Sequence, residues 1–336
     1  MIMKKMFLMF LGLVIFHMPS LAINNVKIAT IGAVSPVFDA QMEPQQMVDG
    51  MIEFWAGEFR QVLPDKPDLI VLPEVCDRPG SMTPEQRKAY YTVRNDQLLD
   101  YFRSIARANQ CYIAYGATRD IGEGRWRNSC VIVGRDGETA GIYDKNFPTI
   151  GEMVDGGGVA GTKAELIELD FGTVGCAICF DLNFDELLQK YQKSQPDLII
   201  FMGLYHGGLV QSYWAYTSRA YFVGAVGINN LPSEIRNPFG EVVASSTNYF
   251  HYTVATVNLD RRLVHLDYNW AKLIALKEKY GDKVNIYDPG EVGAVMITSE
   301  HDDISADEMI KEFDVELLDD YFNRSRAVRE KPGNME

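Results

Sequence analysis

The chain has 336 residues, of which 47% are hydrophobic and 23% charged, with a formal net charge of −14; that is enough apolar material for one large domain or two modest ones with a sizeable core. No Lys/Arg-rich block interrupts the acidic composition, which argues against nucleic acid and anionic membrane surfaces as partners. Five cysteines (Cys76, Cys111, Cys130, Cys176 and Cys179) are few for this length and odd in number, so at least one thiol is left over from any pairing scheme.

In chain order, residues 1–22 read as a secretory signal. Lys4 and Lys5 form a positive start, Met6 to Phe16 is apolar, Pro19 breaks the run, and Ser20-Leu21-Ala22 offers small residues for cleavage. The apolar run is well short of the roughly 20 residues needed to span a bilayer, so export to the periplasm or the exterior is expected rather than a membrane anchor. Val26–Val34 then reads as a buried strand, followed by Met47, Met51, Trp55, Phe59 and Val62 at helical spacing. "DLIVLPE" (68–74) is a short strand stopped by Pro73. The spacing over Thr83–Asn109 predicts one long amphipathic helix capped by Thr83 and opened by Pro84. "CYIAYGA", "SCVIVG" and "TAGIYDK" read as strands, the last two joined across "RDGE", and "AELIELDFGTVGCAIC" as a further hairpin.

The second half repeats this grammar, with a helix from Asp185 to Lys193, the strand "DLIIFMG", a helix around Tyr213–Tyr221, and the strands "FVGAVGI", "EIRNPFGEVVASS" and "YTVATVNLD". Alternating strands and helices predict an α/β layered domain with both sheet faces covered. Residues 23–262 form that domain and 263–336 a mostly helical C-terminal extension in which "ISADEMIKEF" is a capped helix.

Glu74, Lys145 and Cys179 each end a predicted strand. In open α/β sheets functional groups gather beyond the carboxyl ends of strands, which makes the three candidates for one site. Cys176 and Cys179 stand three apart on a strand, roughly 10 Å at about 3.3 Å per residue, too far for a disulfide. Zinc would need further ligands, and His206, His251, His265 and His301 are scattered without a partner motif. Cys176 therefore reads as a small core hydrophobe. Cys179 sits where the strand turns into "FDLNFDELLQKY", where a helix start would favour thiolate and nucleophilic chemistry. A nucleophile also needs a base and an oxyanion donor, and Glu74 and Lys145 are groups of those two types. His206, in "GLYHGG", offers a Cys–His dyad as a rival; Tyr205 and His206 are otherwise candidate substrate-binding residues. Cys76 reads as a bystander, and a Cys111–Cys130 pairing stays open.

"LIVLPE" with Glu74, "YDKNFPTIGE" with Lys145 and Glu152, and "GCAICFDLNFDE" with Cys179 resemble, in this order, three signature blocks of the nitrilase, or carbon–nitrogen hydrolase, superfamily. "WAYTSRA" and "SEIRNPFGEVVASS" resemble two further blocks, so the likeness covers about residues 26–260. It implies a four-layer α-β-β-α sandwich, a Glu74–Lys145–Cys179 triad, Glu152 in a supporting place, face-to-face homodimers and no cofactor or metal. Asn183 and Asp185 stand where the family often has arginine and proline, and Tyr221 follows "RA" where Glu-Asn often comes soon after. These departures touch pocket positions and leave the substrate class open. The expected activity is cleavage of a small non-peptide amide through a Cys179 thioester, with Lys145 and the Phe180 N–H holding the oxyanion. A nitrilase acting on C≡N, an N-acyltransferase and a non-catalytic binding protein are the rivals.

Overall fold

Alternate residues of the first strands bury into two different cores, which is what builds the layers. The computed structural model describes residues 24–335; the predicted signal segment lies outside them. The first sheet takes β1 (Asn25–Ile31), β2 (Leu69–Val71), β3 (Tyr112–Asp120), β4 (Trp126–Val133) and β5 (Thr139–Asp144). The second takes β6 (Ile167–Leu169), β7 (Gly172–Ile178), β8 (Leu198–Gly203), β9 (Tyr221–Val226), β10 (Glu234–Arg236) and β11 (Val242–Ser245). The chain then returns to the first sheet with β12 (Tyr252–Asn258), giving the orders β12-β1-β2-β3-β4-β5 and β11-β10-β9-β8-β7-β6.

Val26, Ile28, Leu69, Val71, Ala114, Cys130 and Ile132 face the second sheet in one core. Their neighbours Ala29, Ile31, Ile70, Leu72, Ile113, Val131 and Val133 face the opposite side, as period-two alternation requires of a sheet covered on both faces. The outer core is closed by α1 (Pro44–Val62), whose Met47, Met51, Trp55, Phe59 and Val62 are all buried, and by the helices that follow it. The region predicted as one helix over Thr83–Asn109 is broken into α2 (Pro84–Arg94) and α3 (Gln97–Asn109). Asn95 takes a positive φ of 40° at the break, a conformation short polar side chains tolerate better than most. Thr83 caps α2 as expected, its Oγ1 accepting from Gln86 N at 3.2 Å while Gln86 Oε1 accepts from Thr83 N at 2.9 Å.

The short α4 (Ile150–Val154) precedes the second sheet, whose outer face is covered by α5 (Asp185–Ser194) and α6 (Leu209–Ser218). Leu187, Leu188, Tyr191, Trp214 and Ala215 pack there. The result is a four-layer α-β-β-α sandwich. Thr30 Oγ1 donates to Gly224 O at 2.9 Å and stitches the two inner faces together.

The C-terminal region, expected to be mostly helical, also carries a small sheet of its own: β13 (Arg261–His265), β14 (Val284–Tyr287) and β15 (Ala294–Ser299), ordered β13-β15-β14. Helices α7 (Trp270–Tyr280) and α8 (Ala306–Glu312) close a separate core on it through Leu273, Leu276, Met309 and Ile310. The last helix, α9 (Leu318–Arg329), reaches back to the sandwich, where Asp319 pairs with Arg219 at the end of α6 at 3.0 Å. Among the described residues no helix is long and apolar enough to cross a membrane.

Candidate active site

Strands β1, β2 and β3 are parallel, as are β7, β8 and β9, and β5 is related to β3 by two antiparallel steps through β4. The ends of β2, β5, β7 and β8 carry Glu74, Lys145, Cys179 and Leu204, and these four meet. Strands β2 and β5 are three strand spacings apart, roughly 14 Å, so proximity is not automatic. The gap is closed from both sides. After β2 the chain folds over Gly116 of β3, where an added Cβ would lie 2.4 Å from Pro73 O and 2.6 Å from the Glu74 Cα; only glycine lets this turn settle so low. From β5, Lys145 extends its side chain over Asn128 of β4, its own backbone pinned by Lys145 N donating to Asn128 O at 2.8 Å and Gly161 N donating to Lys145 O at 2.7 Å.

Lys145 Nζ donates to Glu74 Oε1 at 2.8 Å and to Glu152 Oε2 at 2.9 Å. Asn128 Nδ2 donates to the same two carboxylates, at 2.8 Å to Glu74 Oε1 and 2.9 Å to Glu152 Oε1. Glu152 owes its aim to a second local device: it is the third residue of α4, and its Oε2 accepts from Thr149 N at 2.7 Å in a capping box. The other Glu74 oxygen accepts from Leu204 N at 3.2 Å. With Lys145 2% and Glu74 5% exposed, the ion pair is taken out of water, and the extra donors and acceptors are what make that tolerable. Burial alone would lower the Lys145 pKa, but Glu74 and then Glu152 outweigh it and hold the ammonium well above the ordinary lysine value. Glu152 is likewise held below the usual carboxylate range, because Lys145, Asn128 and Thr149 outweigh its burial.

The Cys179 thiol is within range of Glu74, Lys145 and the Leu204 N–H, all of which act on its proton. Its proton state differs from the sequence expectation. The residues from Cys179 to Asn183 form a tight 3-10 turn, and α5 starts only at Asp185, so no α-helix N-terminus faces the sulfur. Burial, then the Glu74 charge, push the thiol up to about 12 against the pull of Lys145 and the Leu204 N–H. The resting group is therefore a neutral thiol beside a carboxylate, not a preformed thiolate. Cys179 has a φ of +49° and Val75, directly after Glu74, a φ of +46°. For a β-branched residue this is a genuine outlier, and both strained residues sit at the site, as stored backbone strain tends to.

Two residues unread in the sequence hold these loops together. Asn128 is one, on a strand where its side chain has two carboxylates to bridge. Asp181 is the other, wholly buried: it accepts from Ile178 N at 2.9 Å, Phe147 N at 2.8 Å and Tyr143 Oη at 2.8 Å, tying the turn after Cys179 to the loop after Lys145. Burial still pushes its carboxyl up to about 6 against those donors. Phe180 adds an aromatic link, edge-on to Phe184 at 5.3 Å, which stacks on Phe147 at 3.9 Å. An aspartate two places past the cysteine was an available signal; Asn128, in the polar start of β4 between Arg127 and Ser129, offered none.

Tyr205 stands near the thiol: burial and then Cys179 push its phenol up to about 12, and its Oη accepts from Asn183 Nδ2 at 3.4 Å. His206 turns elsewhere. Its Nδ1 accepts from Gly208 N at 3.1 Å, which leaves Nε2 to donate to Glu234 Oε2 at 3.1 Å; it anchors the loop to β10, and the carboxylate that acts on the Cys179 thiol is Glu74. All five cysteines are free. Cys111 belongs to the outer core and Cys130 to the inner one, so their side chains lie on opposite faces of the first sheet and the pairing left open in the sequence is not formed. Cys130 instead faces Cys176 within the sandwich, and Cys76 is buried with its Sγ donating to Gly116 O at 3.5 Å. Among the described residues no cluster of His, Cys, Asp and Glu could hold a metal ion. A cleft of about 530 Å³, lined among others by Val75, Asn128 and Glu152, opens next to this network.

The sandwich recurs in solved structures. Nit3 of Saccharomyces cerevisiae, a member of the nitrilase superfamily, superposes with a TM-score of 0.58 over 72% of this chain and 93% of its own, at 18% identity. An amidase from Nesterenkonia sp. does so with a TM-score of 0.57 over 70% and 90%, at 15% identity. In sequence, the chain is 22% identical over 214 residues to nitrilase homolog 2 of Dictyostelium discoideum and 26% identical over 189 residues to a chloroplastic omega-amidase of Arabidopsis thaliana. These matches span 59% and 49% of this chain and only 64% and 49% of the relatives, less than two thirds of their length. The family model for carbon-nitrogen hydrolase matches residues 27–267, a span that holds both sheets and every residue of the Glu74–Lys145–Cys179 centre, and the chain belongs to that family.

Proposed function

We propose that this protein is an exported thiol amidohydrolase that cleaves a small non-peptide amide. The observation that carries the reading is the meeting of a carboxylate, an ammonium and a thiol from three distant segments, with Glu74 and Lys145 paired at 2.8 Å and both acting on the Cys179 thiol. As the sulfur attacks the amide carbon, Glu74 takes the thiol proton, so the charge leaves the carboxylate as it appears on the substrate oxygen. Lys145 Nζ donates to Glu74 Oε1 and across both oxygens of Glu152; with one N–H shared between the two Glu152 oxygens, its third N–H, with the Phe180 N–H, holds the oxyanion. Collapse expels the amine or ammonia, which leaves with the proton from Glu74. Water then attacks the thioester while Glu74 takes one of its protons, and the second collapse releases a carboxylic acid and returns the proton to sulfur.

Relatives named as omega-amidases and as an amidase support the choice of amide over nitrile. Export rests on the Lys4–Ala22 pattern. A homodimer is supported by the family resemblance and by the exposed Leu209 and Tyr213 on α6. The test is ammonia and acid release from a panel of amides, nitriles and carbamoyl compounds by the purified protein. Amide turnover that falls by about a millionfold, to background, in Cys179→Ala is expected. Retained turnover in that variant would sink the mechanism, and nitrile turnover without amide turnover would replace it.

A further inference from the structure

A second polar network lies behind the turn that follows β8. Glu234 and Arg236 stand two apart on β10, so their side chains leave the same face of that strand, and both residues are buried. Glu234 Oε2 accepts from Arg236 Nη2 and, at 3.1 Å, from His206 Nε2. Arg236 Nη1 donates to Ser212 Oγ and to Gly240 O, each at 2.9 Å. A buried ion pair of this kind adds little to stability, because apolar side chains of similar volume often serve as well or better. Its use has to be sought in what it holds.

That is the turn from Leu204 to Gly208. Sheet pairing fixes β8 only as far as Gly203, whose partner is Val226. Beyond it the Leu204 side chain is exposed, and Gly207 and Gly208 both have positive φ, 82° and 52°, so the backbone of the turn is free to take other paths. His206 supplies the restraint. Its ring is held between Gly208 N and Glu234, and its carbonyl accepts from Gln211 Nε2. Two residues earlier stands the Leu204 N–H, which donates to Glu74 Oε2 at 3.2 Å and is, among the described residues, the only nitrogen that does so. Glu74 Oε1 is already taken by Lys145 and Asn128. Oε2 is therefore the oxygen with room for the thiol proton, and the Leu204 N–H sets its direction. Burial and then Glu74 push the Cys179 thiol up, and the same N–H is one of the groups that pull it back.

We propose that Glu234 is a positioning residue for the reaction at Cys179: through His206 it fixes the turn after β8 and so keeps the Leu204 N–H on Glu74, with Arg236 holding Glu234 in place. The proposal rests on the amidohydrolase reading, but labelling of Cys179 tests it without turnover. Two variants divide the contacts of His206. In His206→Gln the amide nitrogen can stand where Nε2 stood and still donate to Glu234. In His206→Asn the amide oxygen can stand where Nδ1 stood and accept from Gly208 N, but the side chain is too short to reach Glu234. On the amide panel His206→Asn should lose about ten- to a hundredfold in kcat, with KM changed by about twofold or less, and His206→Gln should keep most of its kcat. Iodoacetamide labelling of Cys179, read by mass spectrometry of its peptide at fixed pH, should slow by about threefold or more in His206→Asn, because a lost donor to the thiolate raises the thiol pKa. In His206→Gln it should stay near the unmutated rate. Glu234→Leu combined with Arg236→Met replaces the ion pair by apolar side chains, and its unfolding midpoint should stay near that of the unmutated protein while kcat falls as in His206→Asn; if it does not fold, the two His206 variants decide. Equal kcat and equal labelling in the two His206 variants, or a double variant that keeps full kcat, would overturn the proposal. Slow labelling confined to His206→Asn, in a protein that turns over no amide, would keep the positioning role and remove the amidohydrolase. Amide turnover with no difference between the two His206 variants would do the reverse.

Discussion

Lys145 and Arg87 are both long cations near the same cleft, and the fold treats them in opposite ways. Lys145 is 2% exposed and held by two carboxylates, at 2.8 and 2.9 Å. Arg87 lines the cleft, is only partly exposed and is in no ion pair among the described residues. The difference separates two uses of charge. A group that must stabilise a transition state is preorganised, its partners fixed before substrate arrives. A cation on a wall open to water is solvated instead and needs no fixed partner, and any pair it made there would be worth about 0–1 kcal/mol.

The largest expected effect comes from breaking the preorganised side. Lys145→Met leaves Glu74 and Glu152 facing each other without a counter-charge; stability should fall by about 3–5 kcal/mol in denaturant titration, and amide hydrolysis by about a hundred- to thousandfold. A loss no larger than that of a surface lysine would mean the network is not held by this ammonium.

Glu74→Gln comes next and separates two roles of one side chain. It should cut hydrolysis by about a hundred- to ten-thousandfold through loss of the base, while making the thiol easier to alkylate. Burial and then the Glu74 charge hold the Cys179 thiol up to about 12. In the unmutated protein, iodoacetamide labelling should therefore be slow at neutral pH and rise about tenfold per pH unit below that value. Removing the negative charge lowers the thiol pKa, so at a fixed neutral pH labelling should speed up as catalysis is lost. Labelling that slows in parallel with hydrolysis would place the proton elsewhere.

The smallest effect is expected at the cleft wall. Thr83 caps the helix that carries Arg87, and Thr83→Ala should cost about 0.5–2 kcal/mol by chemical denaturation. A larger loss would show that the α2 segment supports the sandwich as well as the cleft.

The ends of the strands were legible in the sequence because their signals are local. A short continuous apolar run stopped by "PE", a hairpin across "RDGE" and a strand ending at Cys179 can each be read within a few residues, and the "TIGE" capping box that aims Glu152 is equally local. The break at Asn95 was not legible, because the amphipathic spacing runs straight through it. The C-terminal sheet was masked in the same way, its strands being short and joined through helices.

By itself, then, the amino-acid sequence determined the layer pattern and which residue types end which strands. The tertiary structure alone decided that Glu74 meets Lys145 across 71 residues, Asn128 across 54 and the Leu204 N–H across 130, that Asp181 ties the turn after Cys179 to the loop after Lys145, and that burial and the Glu74 charge push the Cys179 thiol up. The physical reason is that periodicity depends on neighbours along the chain. Protonation and unmet hydrogen bonds depend instead on burial and on charges brought from remote segments, and these exist only once the two sheets have closed on each other.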